Sequence, residues 1–405
     1  MALSFNSPVA VDGYSRTWVE LFDDRNVMAG SFAWQALFGR ADVGGRTVFS
    51  PNAEVIDIDI IRGDERIAAY IHRGTNARSV NQITNTRTQK YTANSYRFPL
   101  AELEGTLGAS QINKRVAGEE PYGNLTPQER LMRLGGETHY EHVRRMIRLF
   151  EVSAKQSILD GEQKGILGTT NSDLIYDWQR DNDNEITVSE AWDTASAEIM
   201  QDIDDACDKV RENGHVHPDM MVVGSDAMRA MLEDSDFKSL SDNRRIGMVA
   251  IDREADAVPP RFQPMVDGGM IWRGILYTAQ GYRLYVFTYP DVYEDENGTQ
   301  QEYMEKDEAV ILSSRARFDR YFGPPEMLPL TAQRRQFYVE MFGIDPGTTL
   351  MPPNFEGANV IDPRMFYFDA YPSDNQKNVT LRTQAAPLFS TTHTDAVVVL
   401  DGLID

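Results

Sequence analysis

The chain of 405 residues has almost no cysteine and no long apolar run. Its single cysteine, Cys207, cannot form an internal disulfide, which is typical of a protein that folds in a reducing compartment. No stretch of about eighteen apolar residues occurs, so the sequence predicts no transmembrane helix. The amino end lacks a basic start followed by an apolar stretch, which argues against a secretory signal. We therefore expect a protein that folds in a cytoplasm and has no membrane partner.

Sequence patterns of known catalytic and metal sites are also missing. There is no nucleophile-elbow, phosphate-loop, dinucleotide-binding or zinc-hydrolase pattern. The acidic run 181–185 begins like a calcium loop, but Ile186 replaces the required glycine and Trp192 the final acid. His215 and His217 have no further ligand at a zinc-like spacing. We therefore expect no catalytic residue, no cofactor and no metal site.

Basic residues are scarce relative to acidic ones, with 40 Lys and Arg against 62 Asp and Glu and a net charge of −22. Nearly all of this excess lies in residues 164–405, whereas residues 1–163 are close to neutral. An acidic surface repels phosphate, so affinity for nucleic acid is disfavoured. Solubility or tolerance of high salt explains the same composition.

Residues 1–46 are predicted to form an irregular amino-terminal arm with many aromatic side chains. Large apolar rings at this density need a surface that covers them, either the body of the same subunit or a neighbouring molecule. The arm residues predicted to make such contacts are Trp18, Phe22, Trp34 and Phe38.

A clear strand at 53–61, which alternates apolar and acidic residues, precedes a polar segment at 64–98. This segment has the composition of a two-stranded excursion without its own core, and an excursion of this length is usually functional or disordered. Its net charge is +4, because Asp64 and Glu65 are outnumbered by six basic residues: Arg66, Arg73, Arg78, Arg87, Lys90 and Arg97.

The strongest helix signal spans 126–163. Thr126 and Glu129 form a capping box, and a stripe of buried-type residues follows at helical spacing. A helix of this span is about 50 Å long. His139 and His142 share one face with nearby arginines, and we interpret this face as solvated and balanced by acidic residues that include Glu151, with phosphate contact as the alternative.

The segment 189–330 is predicted to be one α/β unit. Helices are predicted at 189–213 and 225–233, and strands at 220–223, 271–277, 282–289 and 309–312. Further strands are expected at 336–343, 364–384 and 396–400, and the Asn297-Gly298 pair marks a tight hairpin turn.

Four stretches carry a family resemblance: EVSAKQSILDGE (151–162), the hairpin at 293–314, FDAYPSDNQ (368–376) and the carboxyl end at 382–402. In their order and spacing they are similar to lambda-type major capsid proteins of tailed phages, which have the Hong Kong 97-type fold. The resemblance covers most of residues 45–402. The segment 315–362 is longer than expected and is interpreted as an insertion or a surface loop.

The resemblance implies an α+β fold with four parts. These are the arm (1–46), an extended loop (64–98), a peripheral domain (47–63 and 99–188, with a spine helix at 126–163) and an axial α/β domain (189–330 and 387–405). Return strands of the peripheral domain would occupy 331–386. The six basic loop residues and the four arm aromatics would contact neighbouring subunits.

The resemblance also implies a function without an active site. Copies of the chain would assemble in the host cytoplasm into hexamers and pentamers of an icosahedral virion shell that encloses double-stranded DNA. The implied partners are other copies of the chain, a scaffolding protein, a portal and a decoration protein, with packaged DNA nearby but not recognised by sequence. The alternatives are a cargo-enclosing, encapsulin-like nanocompartment and an acidic α/β enzyme with a lid at 64–98.

Overall fold

A computed structural model describes ten ranges of the chain: residues 33–50, 53–61, 91–112, 127–165, 175–234, 251–252, 258–295, 298–326, 365–372 and 378–404. The strands in these ranges, in chain order, are β1 (Thr47–Phe49), β2 (Val55–Ile61), β3 (Tyr91–Arg97), β4 (Ala101–Gly108), β5 (Glu162–Lys164), β6 (Ile175–Asp177), β7 (Glu185–Thr187), β8 (Met220–Val223), β9 (Ile251–Asp252), β10 (Ile271–Tyr277), β11 (Arg283–Thr288), β12 (Val292–Glu294), β13 (Gln300–Glu302), β14 (Ala309–Leu312), β15 (Asp319–Phe322), β16 (Tyr367–Pro372), β17 (Asn378–Ala385), β18 (Pro387–Ser390) and β19 (Val397–Asp401).

The α-helices of the described ranges are α1 (Ala109–Ile112), α2 (Pro127–Leu159), α3 (Ile199–Gly214), α4 (Ser225–Glu233) and α5 (Gln263–Asp267). Short 3-10 helices occur at Trp34–Leu37, Ala41–Val43, Asn182–Asn184 and Thr394–Ala396. The predicted spine helix is α2, but it ends at Leu159 and not at residue 163, because Glu162–Lys164 pair as β5 with β6. The predicted strands at 220–223, 271–277 and 309–312 have the predicted bounds.

The largest sheet has seven strands in the order β7-β19-β14-β8-β11-β10-β9. It is mixed, because β8 pairs in parallel with β11 and antiparallel with β14. Both faces of its centre are covered, and β8 and β14 are buried along their whole length. Their sequences, MMVV and AVIL, are apolar at every position because both faces of these strands need cover.

One face of this sheet packs against α3 and α4. The predicted start of α3 at Ser189 is wrong by ten residues, because the helix begins at Ile199. The preceding segment is held to the carboxyl end instead: Val188 N–H donates to the Asp401 carbonyl (3.2 Å) and Trp192 N–H to the Leu403 carbonyl (2.7 Å). These tertiary bonds replace the helical bonds that the capping pattern predicted.

The helix α2 lies against two smaller sheets through β4, β17 and β18. The sheet β16-β17-β4 is antiparallel, and the sheet β1-β15-β18 pairs β1 in parallel with β15. The predicted apolar stripe of α2 is buried throughout and consists of Val143, Ile147, Phe150, Ala154 and Ile158. Phe150 stacks on Phe366 with ring centroids 5.4 Å apart.

One hydrophobic cluster joins the stripe of α2 to the second face of the seven-stranded sheet. It includes Phe150 from the helix and Val222, Phe287 and Val399 from the sheet. Two chain segments cross between the sheets and bond to each other, since His393 N–H donates to the Arg317 carbonyl (3.2 Å). The helix and the sheet therefore share a continuous core.

The division into domains stays a prediction. The strand β7 belongs to the segment assigned to the peripheral domain, yet it pairs with β19 at the edge of the seven-stranded sheet. The strand β15 belongs to the segment 315–362 and is the middle strand of the sheet β1-β15-β18. The residues 336–343 lie outside the described ranges.

Candidate assembly surfaces

Strand β2 precedes the predicted extended loop (64–98), and β3 lies near the end of that loop. The two strands form a hairpin and pair antiparallel, from Val55 opposite Arg97 to Ile61 opposite Tyr91. Tyr96 fastens the base of this hairpin to the body. Its ring lies 4.9 Å from Trp178, and its hydroxyl donates to the Asp177 carbonyl at 2.7 Å.

Phe98 forms a second attachment at the base of the hairpin. The side chain is buried, and Gly323 leaves it room, because a β-carbon at Gly323 would overlap the Phe98 ring. Phe98 also lines a groove of about 440 Å³ with Leu100, Pro324 and Pro325. The hairpin therefore leaves the body from a fixed base.

Of the six basic loop residues, Arg97 is described, and the structure places it at the base of the hairpin. Its guanidinium lies 3.4 Å from the Glu54 carboxylate, and both side chains are about three-quarters exposed. An exposed pair of this kind contributes little to stability. Arg66, Arg73, Arg78, Arg87 and Lys90 lie outside the described ranges, so their inter-subunit role stays a prediction.

Trp34, one of the predicted arm contacts, is fully buried in the subunit's own core. Its indole N–H donates to the Tyr303 carbonyl (3.2 Å), and its ring meets Tyr289 edge-on at 6.2 Å. Phe38 is also buried, with rings of Phe318 and Phe389 at 5.5 Å and 5.2 Å.

The interpretation of Trp34 and Phe38 as contacts to a neighbour is therefore corrected. Both rings are covered by their own chain, so neither is available to another subunit. Trp18 and Phe22 lie outside the described ranges, and their proposed contacts stay predictions.

Glu151 of α2 holds the arm in place, and sequence reasoning missed this role. The carboxylate is fully buried and accepts hydrogen bonds from Trp34 N–H (2.7 Å), Gln35 N–H (3.1 Å) and the Tyr289 hydroxyl (3.0 Å). Burial raises the pKa of Glu151 to about 7, although the three donors act in the opposite direction. Residues four apart share one face of a helix, so the position of Glu151 after Ile147 was a signal in the sequence that its side chain lies on the buried face.

The solvated face predicted for His139 and His142 is also corrected. Both rings are buried against β17, and the Nδ1 atom of each lies 3.1 Å from the Thr383 hydroxyl. Burial and the neighbouring His142 lower the pKa of His139 to about 3, and burial also lowers the pKa of His142. Both rings are therefore neutral at pH 7. The adjacent Arg144 and Arg145 are exposed, as predicted.

Within the described ranges, no group of His, Cys, Asp and Glu side chains could hold a metal ion. No helix among the described residues is long and apolar enough to cross a bilayer. Cys207 is buried on the inner side of α3, and burial raises the pKa of its thiol. The candidate functional features are therefore the hairpin β2–β3, the arm that is attached to the core, and the charged surfaces.

Comparison with protein families gives one match over most of the chain. The family model described as phage major capsid protein E matches residues 50–401. No curated protein sequence matches the chain.

Solved structures provide a second comparison. The chain is similar to a protein assigned as the capsid protein of an Escherichia coli CFT073 prophage, with a TM-score of 0.58 and 15% identity over 97% of this chain and 99% of that one. It is also similar to a phage-related protein from Bordetella bronchiseptica RB50, with a TM-score of 0.43 and 10% identity over 91% of each chain. The first similarity confirms the predicted α+β fold of capsid type.

Proposed function

Since the chain belongs to the phage major capsid protein E family, we propose that its copies assemble into hexamers and pentamers that close an icosahedral shell. The match over residues 50–401 carries this proposal. The chain is a virion shell component and a structural protein by family. Closed shells need contacts that form rings and further contacts that join the rings.

The charge distribution supports a role for the extended loop between subunits. The segment 64–98 has a net charge of +4, whereas residues 164–405 carry nearly all of the net charge of −22. The hairpin β2–β3 begins at the fixed base described above and leads into this basic segment. We infer that the loop lies over an acidic surface of a neighbouring subunit, where complementary charge guides register and docking rate more than affinity.

The arm supplies a second inter-subunit contact in this proposal, now limited to its first part. Trp34 and Phe38 are buried in the subunit's own core. Trp18 and Phe22, the other two predicted contact residues, precede this attachment in the chain, and their rings are proposed to contact a neighbour. Many modest contacts of these two kinds act together in a closed shell.

Several partners follow from the family role. We infer a scaffolding protein that sets shell size, a portal at one vertex and a decoration protein on the outside. Assembly takes place in the host cytoplasm, and the shell then surrounds double-stranded DNA without sequence-specific binding. The acidic composition supports this last point, because a negatively charged wall does not adhere to the packed DNA.

The proposal is tested by imaging purified protein, expressed alone and with the scaffolding protein, by negative-stain electron microscopy. We expect rings and closed shells. An encapsulin-like compartment would instead contain protein cargo and lack a portal vertex. A small oligomer of compact outline at every concentration would contradict the shell function.

The loop assignment has its own test. The double variant Arg78→Glu and Arg87→Glu reverses two loop charges, and we expect folded subunits that no longer form shells. The matched control reverses two exposed arginines outside the loop, Arg145→Glu and Arg229→Glu, whose side chains are 60% and 70% exposed. Shells of normal yield from the loop variant would remove the loop from the proposal.

A further inference from the structure

Arginine and aromatic side chains form a surface at one edge of the seven-stranded sheet. We call this surface the Arg-aromatic patch; it consists of Arg261, Trp272, Tyr277 and Arg283, which lie around the buried ring of Tyr285. The Arg283 guanidinium lies 5.1 Å from the Tyr285 ring centroid and 6.0 Å from that of Tyr277. Arg261 lies 5.1 Å from the same Tyr285 ring, and Trp272 lies 5.8 Å from it.

The patch is open to contact. Arg283 is exposed, and Trp272 and Tyr277 are partly exposed. Arg261 pairs with Asp219 at 3.1 Å, whereas Arg283 has no carboxylate partner among the described residues. Trp, Tyr and Arg are the residues most enriched at the energetic centres of protein interfaces. The composition therefore points to a protein partner with negative charge.

The opposite side of the same sheet carries such a surface. Residues 189–214, which lead into and form α3, include eight acidic and two basic residues. Both basic residues are paired, Lys209 with Asp183 (3.8 Å) and Arg211 with Asp208 (3.5 Å). We call the exposed acids of this segment the α3 acidic face; they are Glu190, Asp193, Glu198, Asp205 and Glu212.

The two surfaces lie on opposite sides of the sheet. On β11, Tyr285 and Phe287 belong to the cluster that continues into α2, whereas Leu284 and Val286 belong to the cluster under α3. Arg283 alternates with Leu284 and so shares the side of Tyr285. The apolar stripe of α3 faces the sheet, which turns its acidic residues outward.

We propose that the Arg-aromatic patch of one subunit docks on the α3 acidic face of the next copy of this chain. Because the two surfaces are different and lie on opposite sides of one domain, each subunit can offer both at once. Such a head-to-tail contact repeats until a ring closes. The inference rests on the proposed shell function and identifies the contact that forms its rings.

Crosslinking tests the contact directly, since the one native thiol, Cys207, is buried. The variant Arg283→Cys with Asp205→Cys is treated with a short bismaleimide during assembly. We expect a ladder of covalent oligomers that ends at five or six subunits on denaturing gels. An equal mixture of the two single variants is expected to give dimers alone. The control variant, Arg315→Cys with Asp205→Cys, uses an exposed arginine in the turn that follows β14 and is expected to give no ladder.

Charge reversal gives an independent measurement. We expect Arg283→Glu to lower the yield of rings roughly tenfold at an unchanged melting temperature, as for loss of a central interface residue. Adding Asp205→Arg and Glu212→Arg is expected to restore assembly, because the charges are then exchanged across the contact. Arg315→Glu serves as the control and is expected to assemble normally.

The outcomes separate this inference from the shell function. Two results together would overturn the contact and leave the shell function intact. The first is normal shells from Arg283→Glu, and the second is crosslinking of the Arg283→Cys and Asp205→Cys variant that is no greater than in the Arg315→Cys control. Failure of the charge exchange to restore rings would also count against it. Absence of rings from the unaltered protein, together with absence of crosslinks in the Arg283→Cys and Asp205→Cys double variant, would overturn both.

Discussion

The seven-stranded sheet and the hairpin β2–β3 are built on opposite principles. Strands β8 and β14 are buried on both faces and have uninterrupted apolar sequences. In the hairpin, β2 alternates apolar and acidic residues, and Val55 at its base is 50% exposed. A two-stranded hairpin is marginally stable without further cover. The sheet can therefore fold within one subunit, whereas the hairpin depends on its base and on contacts outside it.

The largest expected effect comes from a substitution in the core of the seven-stranded sheet. Phe287 is fully buried and contacts the rings of Phe262 (5.4 Å) and Trp272 (5.1 Å). We expect Phe287→Ala to lower the free energy of unfolding by about 3–5 kcal/mol. Denaturant unfolding measures this free energy. Val55 is exposed, so Val55→Ala serves as the control and should change the free energy of unfolding by less than about 0.5 kcal/mol.

A smaller effect tests the base of the hairpin. A β-carbon at Gly323 would overlap the Phe98 ring, so we expect Gly323→Ala to cost about 1–3 kcal/mol and to loosen the hairpin first. Hydrogen exchange should show faster exchange in β2 and β3 than in β8. In the double variant with Phe98→Ala the overlap with the ring is removed and only the close contact with the β-carbon of residue 98 (2.7 Å) is left, so the cost of Gly323→Ala should decrease. Equal costs in both backgrounds would contradict this account.

The attachment of the arm should depend on pH through Glu151. Its pKa is raised to about 7 in the folded state, from 4.5 for a free carboxyl, so the folded protein binds this proton more tightly than the unfolded chain. Stability should therefore fall as the pH rises between these two values. Glu151→Gln removes the titrating group and should flatten this part of the stability profile, measured by denaturant unfolding at a series of pH values. A variant profile with the same slope would show that other groups cause it.

The smallest expected effect comes from a substitution in an exposed ion pair at the base of the hairpin β2–β3. Arg97 and Glu54 form an exposed pair, so we expect Arg97→Ala to change the free energy of unfolding by less than about 0.5 kcal/mol. If the loop guides docking, the same substitution should slow assembly, which light scattering measures. Loss of stability without slower assembly would mean that the pair is structural.

Several elements followed from local patterns alone. Continuous apolar runs predicted β8 and β14, and alternation predicted β2. The capping box predicted the start of α2 at Pro127, and the apolar stripe predicted its buried face. The start of α3 did not follow, because backbone bonds from Val188 and Trp192 to the carboxyl end compete with the helix. The six basic residues of the loop were predicted to contact a neighbouring subunit, and for all six, including the described Arg97, this stays a prediction.

The sequence by itself determined the periodicity of each element, the uneven charge and the absence of known catalytic motifs, since these depend on neighbouring residues only. The tertiary structure decided which polar groups are buried. Glu151 and the pair His139 and His142 were predicted to be solvated, yet they are covered by the arm and by β17. The partners of Glu151 in the arm are 116 and 117 residues away, and a local pattern contains no information about contacts at that distance.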